Sequence, residues 1–171
     1  LAAEVPDNPE MSFALALISL QMNDLEGPVT QLKEALSKGK EDQDTVQYYL
    51  GQLSETRKND DEAIERYRQI TGGEHYFAAQ IRIAFLLSKR GQLAEALKQL
   101  HQTKAIDNQQ RVQLVLIEAQ MLRAANQSAE AYHLLQQNLE KLPNHPDLLY
   151  ETTMAADLNG EQKKKKKLIR K

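Results

Sequence analysis

Small residues recur along this chain at near-constant intervals, and that period limits the fold more than any single motif. Ala16, Gly51, Ala84 and Ala119 each lie inside an apolar stretch, separated by 35, 33 and 35 residues. Ala63, Ala96 and Ala131 follow the last three at a constant offset of 12. A period of roughly 34 is the mark of stacked helix-turn-helix units, each too small to bury its apolar faces alone.

Composition agrees with a helical stack. Only 7 Gly and 5 Pro interrupt 171 residues rich in Ala, Leu, Gln, Glu and Lys, so helix formers dominate. The formal net charge of −2 does not favour a polyanionic partner, and no nucleic acid is expected. The chain has no cysteine, which excludes disulfides, thiol nucleophiles and thiolate zinc sites. The longest apolar run, Phe13 to Leu20, is far short of the ~20 residues a membrane span needs.

The units divide as helix pairs. Residues 9–43 form a first repeat: Met11 to Met22, a break at Asn23-Asp24, then Val29, Leu32, Ala35 and Leu36 on one helical face. Pro28 falls in the first turn of that second helix, where its missing N–H does no harm. Residues 44–76 form a second repeat, with Asp44 as N-cap, a polar turn at Arg57 to Asp60, and Gly72-Gly73 as the stop. Residues 77–111 and 112–145 form a third and a fourth, with Ser128 offering a hydroxyl to cap the fourth repeat's second helix. Residues 146–171 form a partial or terminal repeat that turns near Asn159-Gly160 and ends in a Lys-rich stretch. Residues 1–8 resemble Leu139 to Pro146 and read as the tail of a preceding repeat, so the chain is expected to be part of a longer protein. Turns of about three residues make each pair antiparallel.

The small residue in each first helix, the turn about seven residues later and the Ala in each second helix resemble the tetratricopeptide repeat. Tyr67, Leu100 and Leu135 stand four places after the second-helix Ala, where that family carries a bulky residue, and Pro143 matches its closing proline. The resemblance spans roughly Pro9 to Gly160 and is similar to divergent bacterial members. It departs at Pro28, at Glu118 in a usually apolar place, and in lacking the first-helix Trp. It implies an all-α fold, a right-handed superhelical stack of antiparallel helix pairs whose first helices line a concave groove.

Carried onto this sequence, the resemblance places Phe13, Leu17, Tyr48, Gln52, Glu55, Arg82, Phe85, Gln120, Arg123, Tyr150 and Met154 along that groove. Aromatic and aliphatic anchors interleaved with amides and a few charges suit an extended or helical peptide. The alternative for Phe13, Leu17, Ile81, Phe85 and Leu116 is that they fill the stack between units. Phe13 and Leu17 stand where some members hold a partner's terminal carboxylate with Lys and Asn, so that mode of binding is not expected.

Chemistry is sparse. His75, His101, His133 and His145 show no metal-ligand spacing, and no phosphate loop or nucleophile motif occurs, so no catalytic residue, metal or cofactor is expected. Lys163 to Lys167 reads three ways: a polybasic tail for anionic lipid or nucleic acid, a solvated end helix aided by Leu168 and Ile169, or a non-native terminus. The expected function is a non-catalytic protein-interaction scaffold. The alternatives are a recruitment or regulatory region of a larger enzyme and an RNA-binding helical repeat. Exposed terminal repeats would allow a homodimer, and the compartment stays open between bacterial cytoplasm and periplasm.

Overall fold

Three short turns repeat the same backbone device, and they set the helix pairs. At Arg57-Lys58-Asn59, Arg90-Gly91-Gln92 and Ala125-Asn126-Gln127 the middle residue is left-handed, with φ of 60° at Lys58, 78° at Gly91 and 62° at Asn126. The third residue of each turn donates its N–H five residues back, Asn59 to Ser54, Gln92 to Leu87 and Gln127 to Leu122, at 2.8–3.0 Å. This is the Schellman closure of a helix C-terminus. The carbonyl of that same third residue then accepts from Ala63, Ala96 or Ala131, the first hydrogen bond of the next helix. The offset of 12 between the two small-residue series is therefore the length of one helix end, one turn and one helix start.

The computed structural model describes Thr30 and residues 43–169, without side chains at residue 159 and residues 161–169. Residues 43–169 form seven helices and no strand: α1 (Gln43–Thr56), α2 (Asp60–Arg68), α3 (Tyr76–Lys89), α4 (Leu93–Gln102), α5 (Asn108–Ala124), α6 (Ser128–Lys141) and α7 (Pro146–Ile169). The expected first repeat, with Phe13, Leu17 and Pro28, and the expected tail 1–8 lie outside the described residues. The chain divides into two compact units, residues 1–86 and 87–171, with the boundary inside α3.

In the first unit α1 packs on α2. Gly51, Ala63 and Tyr67 are fully or nearly buried there, with Val46, Leu50, Leu53 and Ile64 around them. A Cβ on Gly51 would lie 2.5 Å from a Tyr67 ring carbon, so the bare backbone at 51 is what admits the large ring. In the second unit α5 packs on α6, α6 on α7, and α4 and α7 each touch α5. Val112, Ala119, Leu122, Ala131, Leu135, Leu148 and Ala155 form its core. Ala155, 36 residues after Ala119 and 2% exposed, extends the small-residue series by one member beyond the four that the sequence period marks.

Helix ends differ from the expected ones in four places. Helix α1 has already begun at Gln43, so Asp44 sits in its first turn rather than capping it. Its charge still suits the positive end of the helix dipole. Helix α6 begins at Ser128, and the N-cap is Gln127, which makes no side-chain cap hydrogen bond. Helix α2 stops at Arg68, ahead of Gly72-Gly73. Its last turn tightens through Gln69 N–H to Arg66 and Ile70 N–H to Tyr67, and Gln80 on α3 then donates to the freed Ile70 carbonyl at 3.4 Å.

The fourth difference is the largest. No turn forms at Asn159-Gly160, and α7 runs on for 24 residues. Gly160 keeps ordinary helical φ, and the Glu, Gln and Lys that follow have high helix propensity, so one glycine costing about 1 kcal/mol does not end the helix.

Candidate interaction surface

Four of the expected groove residues of the first unit meet through Tyr67, which stands at the bulky position of the second helix. The Tyr67 hydroxyl, projecting from α2, donates to Glu55 Oε1 on α1 at 2.6 Å. Arg82 on α3 donates through Nε to the same oxygen at 2.9 Å and through Nη2 to Oε2, a two-pronged grip. The Arg82 guanidinium also lies 5.4 Å from the Phe85 ring centroid, within cation–π range. Tyr48 completes the row, its ring 5.8 Å from Tyr67 and stacked on His75 at 4.5 Å.

Electrostatics follow this geometry. Burial, then the bond to Glu55, push the Tyr67 phenol far above its ordinary range, so it stays protonated as a donor. The hydrogen bond to Glu55 likewise raises Arg82. The side chains are 13% exposed at Glu55 and 41% at Arg82, so the carboxylate sits inside the network and the cation at its rim. Gln52 is half-buried on α1, and Phe85 is 49% exposed.

The second unit repeats the arrangement with the charges exchanged. Arg123 Nη1 on α5 donates to Glu151 Oε2 on α7 at 2.7 Å. Each pair joins successive first helices, Glu55 to Arg82 across 27 residues and Arg123 to Glu151 across 28. Gln120 is exposed on α5, and Tyr150 and Met154 are 63% and 44% exposed one turn apart on α7. Leu158 continues that stripe at 44%. Of the residues offered as stack filling, Ile81 and Leu116 are half-buried.

Glu118, the acid in a usually apolar place, has a partner the sequence did not disclose: both its oxygens lie 2.9 Å from His101 Nε2 on α4. Residues 17 apart on different helices leave no periodic signal for such a pair. His133 is exposed and His145 half-buried. Among the described residues no group of three or more His, Cys, Asp or Glu is placed to hold a metal ion. None of the described helices is long and apolar enough to cross a membrane.

Antiparallel helix pairs joined by identical short turns, with ion pairs tying successive first helices, define a helical-repeat protein of the α-solenoid class. No protein-family model matches the chain. Over 127 residues, 74% of the chain, it is 30% identical to TPR repeat-containing protein PA4667 of Pseudomonas aeruginosa. The chain spans 22% of that relative's length. Among solved structures, it is similar to the nearly identical TPR-like repeats of a Podosopora anserina protein described as a kinesin light chain, with a TM-score of 0.62 at 20% identity, covering 98% of this chain and 94% of that one. It is also similar to a chain in the structure of Naa15/Naa10 bound to HypK-THB, with a TM-score of 0.56 at 19% identity, covering 89% of this chain and 24% of that one. The chain is a tetratricopeptide-repeat protein.

Proposed function

We propose that this chain is a non-catalytic protein-interaction scaffold in which each unit takes a peptide or partner helix on its own first helices, α1 and α3 in the first and α5 and α7 in the second. The observation that carries the reading is the exposure of Phe85, Tyr150 and Met154, large side chains left open on those helices. Aromatic residues and Met are the side chains interfaces bury most productively. A scaffold role is what tetratricopeptide-repeat relatives suggest, and the neighbour bound to HypK-THB is itself part of a complex.

The charges near these anchors are already matched. Glu55 with Arg82 and Arg123 with Glu151 satisfy one another, so the proposed partner is held by apolar contact and amides, with ion pairs at the edges. Such a partner is neither strongly acidic nor strongly basic.

The test is selection of binders from a phage-displayed random-peptide library, followed by affinity measurement on two variants. Combined Phe85→Ala, Tyr150→Ala and Met154→Ala should weaken the selected peptides on the order of ten-fold or more. A control pair on second helices, Glu95→Ala with Glu130→Ala, should bind like the parent. Undiminished binding by the triple variant at equal helicity would overturn the proposal.

A further inference from the structure

A cavity lies away from every residue assigned to the interaction surface. It is about 270 Å³, between the start of α5 and the end of α6 in the second unit. Val112, Val115 and Leu142 form its apolar wall, and Arg111, Lys141 and Asn138 stand at it. Val112 is 4% exposed and belongs to the core, while Val115 and Leu142 pack against that core, so the wall is a fixed part of the fold.

The polar groups have capacity to spare. Arg111 donates through Nη1 to Asn108 Oδ1 at 3.1 Å, leaving the rest of its fork of donors. Among the described residues neither Arg111 nor Lys141 has an ion-pair partner. Asp107, the acid nearest Arg111 in sequence, accepts from Gln110 N–H at 2.7 Å as the N-cap of α5. Asn138 uses one amide proton on the Leu134 carbonyl at 2.8 Å and keeps the other. Two cations and a free amide donor beside a purely aliphatic wall match one chemistry: an anionic head on a small hydrocarbon body.

We infer that the Arg111–Lys141 cavity binds a short aliphatic carboxylate, with the head on the two cations and the hydrocarbon against Val112, Val115 and Leu142. The volume is at the small end for ligand sites, which limits the body to a few carbon atoms. Such a group comes either as a free short-chain acid or as the C-terminal residue of a peptide ending in Val or Leu.

The experiment is methyl NMR of the full chain titrated with 4-methylpentanoate, with 4-methylpentanamide, and with N-acetyl-Ala-Leu as its free acid. The inference predicts saturable shifts at the methyls of Val112, Val115 and Leu142 with the two acids and none with the amide. Tighter binding of the dipeptide identifies a peptide C-terminus as the source, and tighter binding of the simple acid identifies a free metabolite. Arg111→Gln and Lys141→Gln should each weaken binding about ten-fold. Equal shifts with the amide would reduce the cavity to an apolar gap and overturn the inference. So would the absence of saturable shifts with either acid, a result that does not depend on any variant.

Discussion

Gly51 and Tyr67 are fitted to each other: three ring carbons of Tyr67 lie within 2.8 Å of where a Gly51 Cβ would stand. The second unit uses a different pair at the same spacing of 16, Ala119 with Leu135, both in its core. A large flat ring needs glycine beneath it, and a branched aliphatic side chain tolerates alanine. Gly51→Ala should therefore destabilise the fold by roughly 1–3 kcal/mol through overpacking, although alanine is the better helix former. Urea denaturation measures this, and adding Tyr67→Leu should recover a substantial part of the loss.

Gly160 should respond in the opposite sense. It lies within α7, and beyond its chain neighbours and the helix's own backbone nothing stands within 4 Å of the place its Cβ would take. Gly160→Ala should raise helical content and stabilise the end of α7 by about 0.5–1 kcal/mol. Circular dichroism with hydrogen exchange at residues beyond 160 reads the effect.

Lys58 holds a left-handed backbone that Gly91 adopts freely in the equivalent turn. A side chain with a Cβ is strained there, so Lys58→Gly should stabilise by roughly 1 kcal/mol, and Gly91→Ala should cost a similar amount. Thermal denaturation of the two single variants should give midpoints that move in opposite directions.

The Tyr67 phenol gives a pH dependence of definite sign. Its affinity for the proton is raised in the folded state, so above pH 10, its ordinary midpoint, the unfolded chain loses a proton that the folded chain keeps. The stabilisation is complete below pH 10 and declines as pH rises beyond it, with a slope of up to about 1.4 kcal/mol per pH unit. Tyr67→Phe should flatten the fall in stability between about pH 10 and 11.5, as measured by urea denaturation at each pH.

The period, the helix pairs and the buried small residues were readable because they rest on local rules. Spacing sets which face is apolar, and a turn of three residues closed by a left-handed centre can be recognised at Gly91 and Asn126. The continuous α7 was missed because Asn159-Gly160 looks like a turn, while its conformation depends on the helix formers after it. The network around Glu55 was half visible: Glu55 and Arg82 stand at expected inward positions, but their ion pair spans 27 residues, and the bulky position that Tyr67 fills carries no sign of its hydroxyl's partner. Glu118 with His101 shows the same limit, since a cross-helix polar pair leaves no periodic trace.

Site-specific photo-crosslinking asks most directly whether first helices carry the proposed interaction. A benzophenone amino acid replaces Tyr150 on α7, Phe85 on α3 or the exposed His133 on α6, and each chain is irradiated with a library-selected peptide. Adducts from positions 85 and 150, with none from 133, are the predicted result. Adducts formed equally from all three, or from 133 alone, would contradict a binding surface on the first helices.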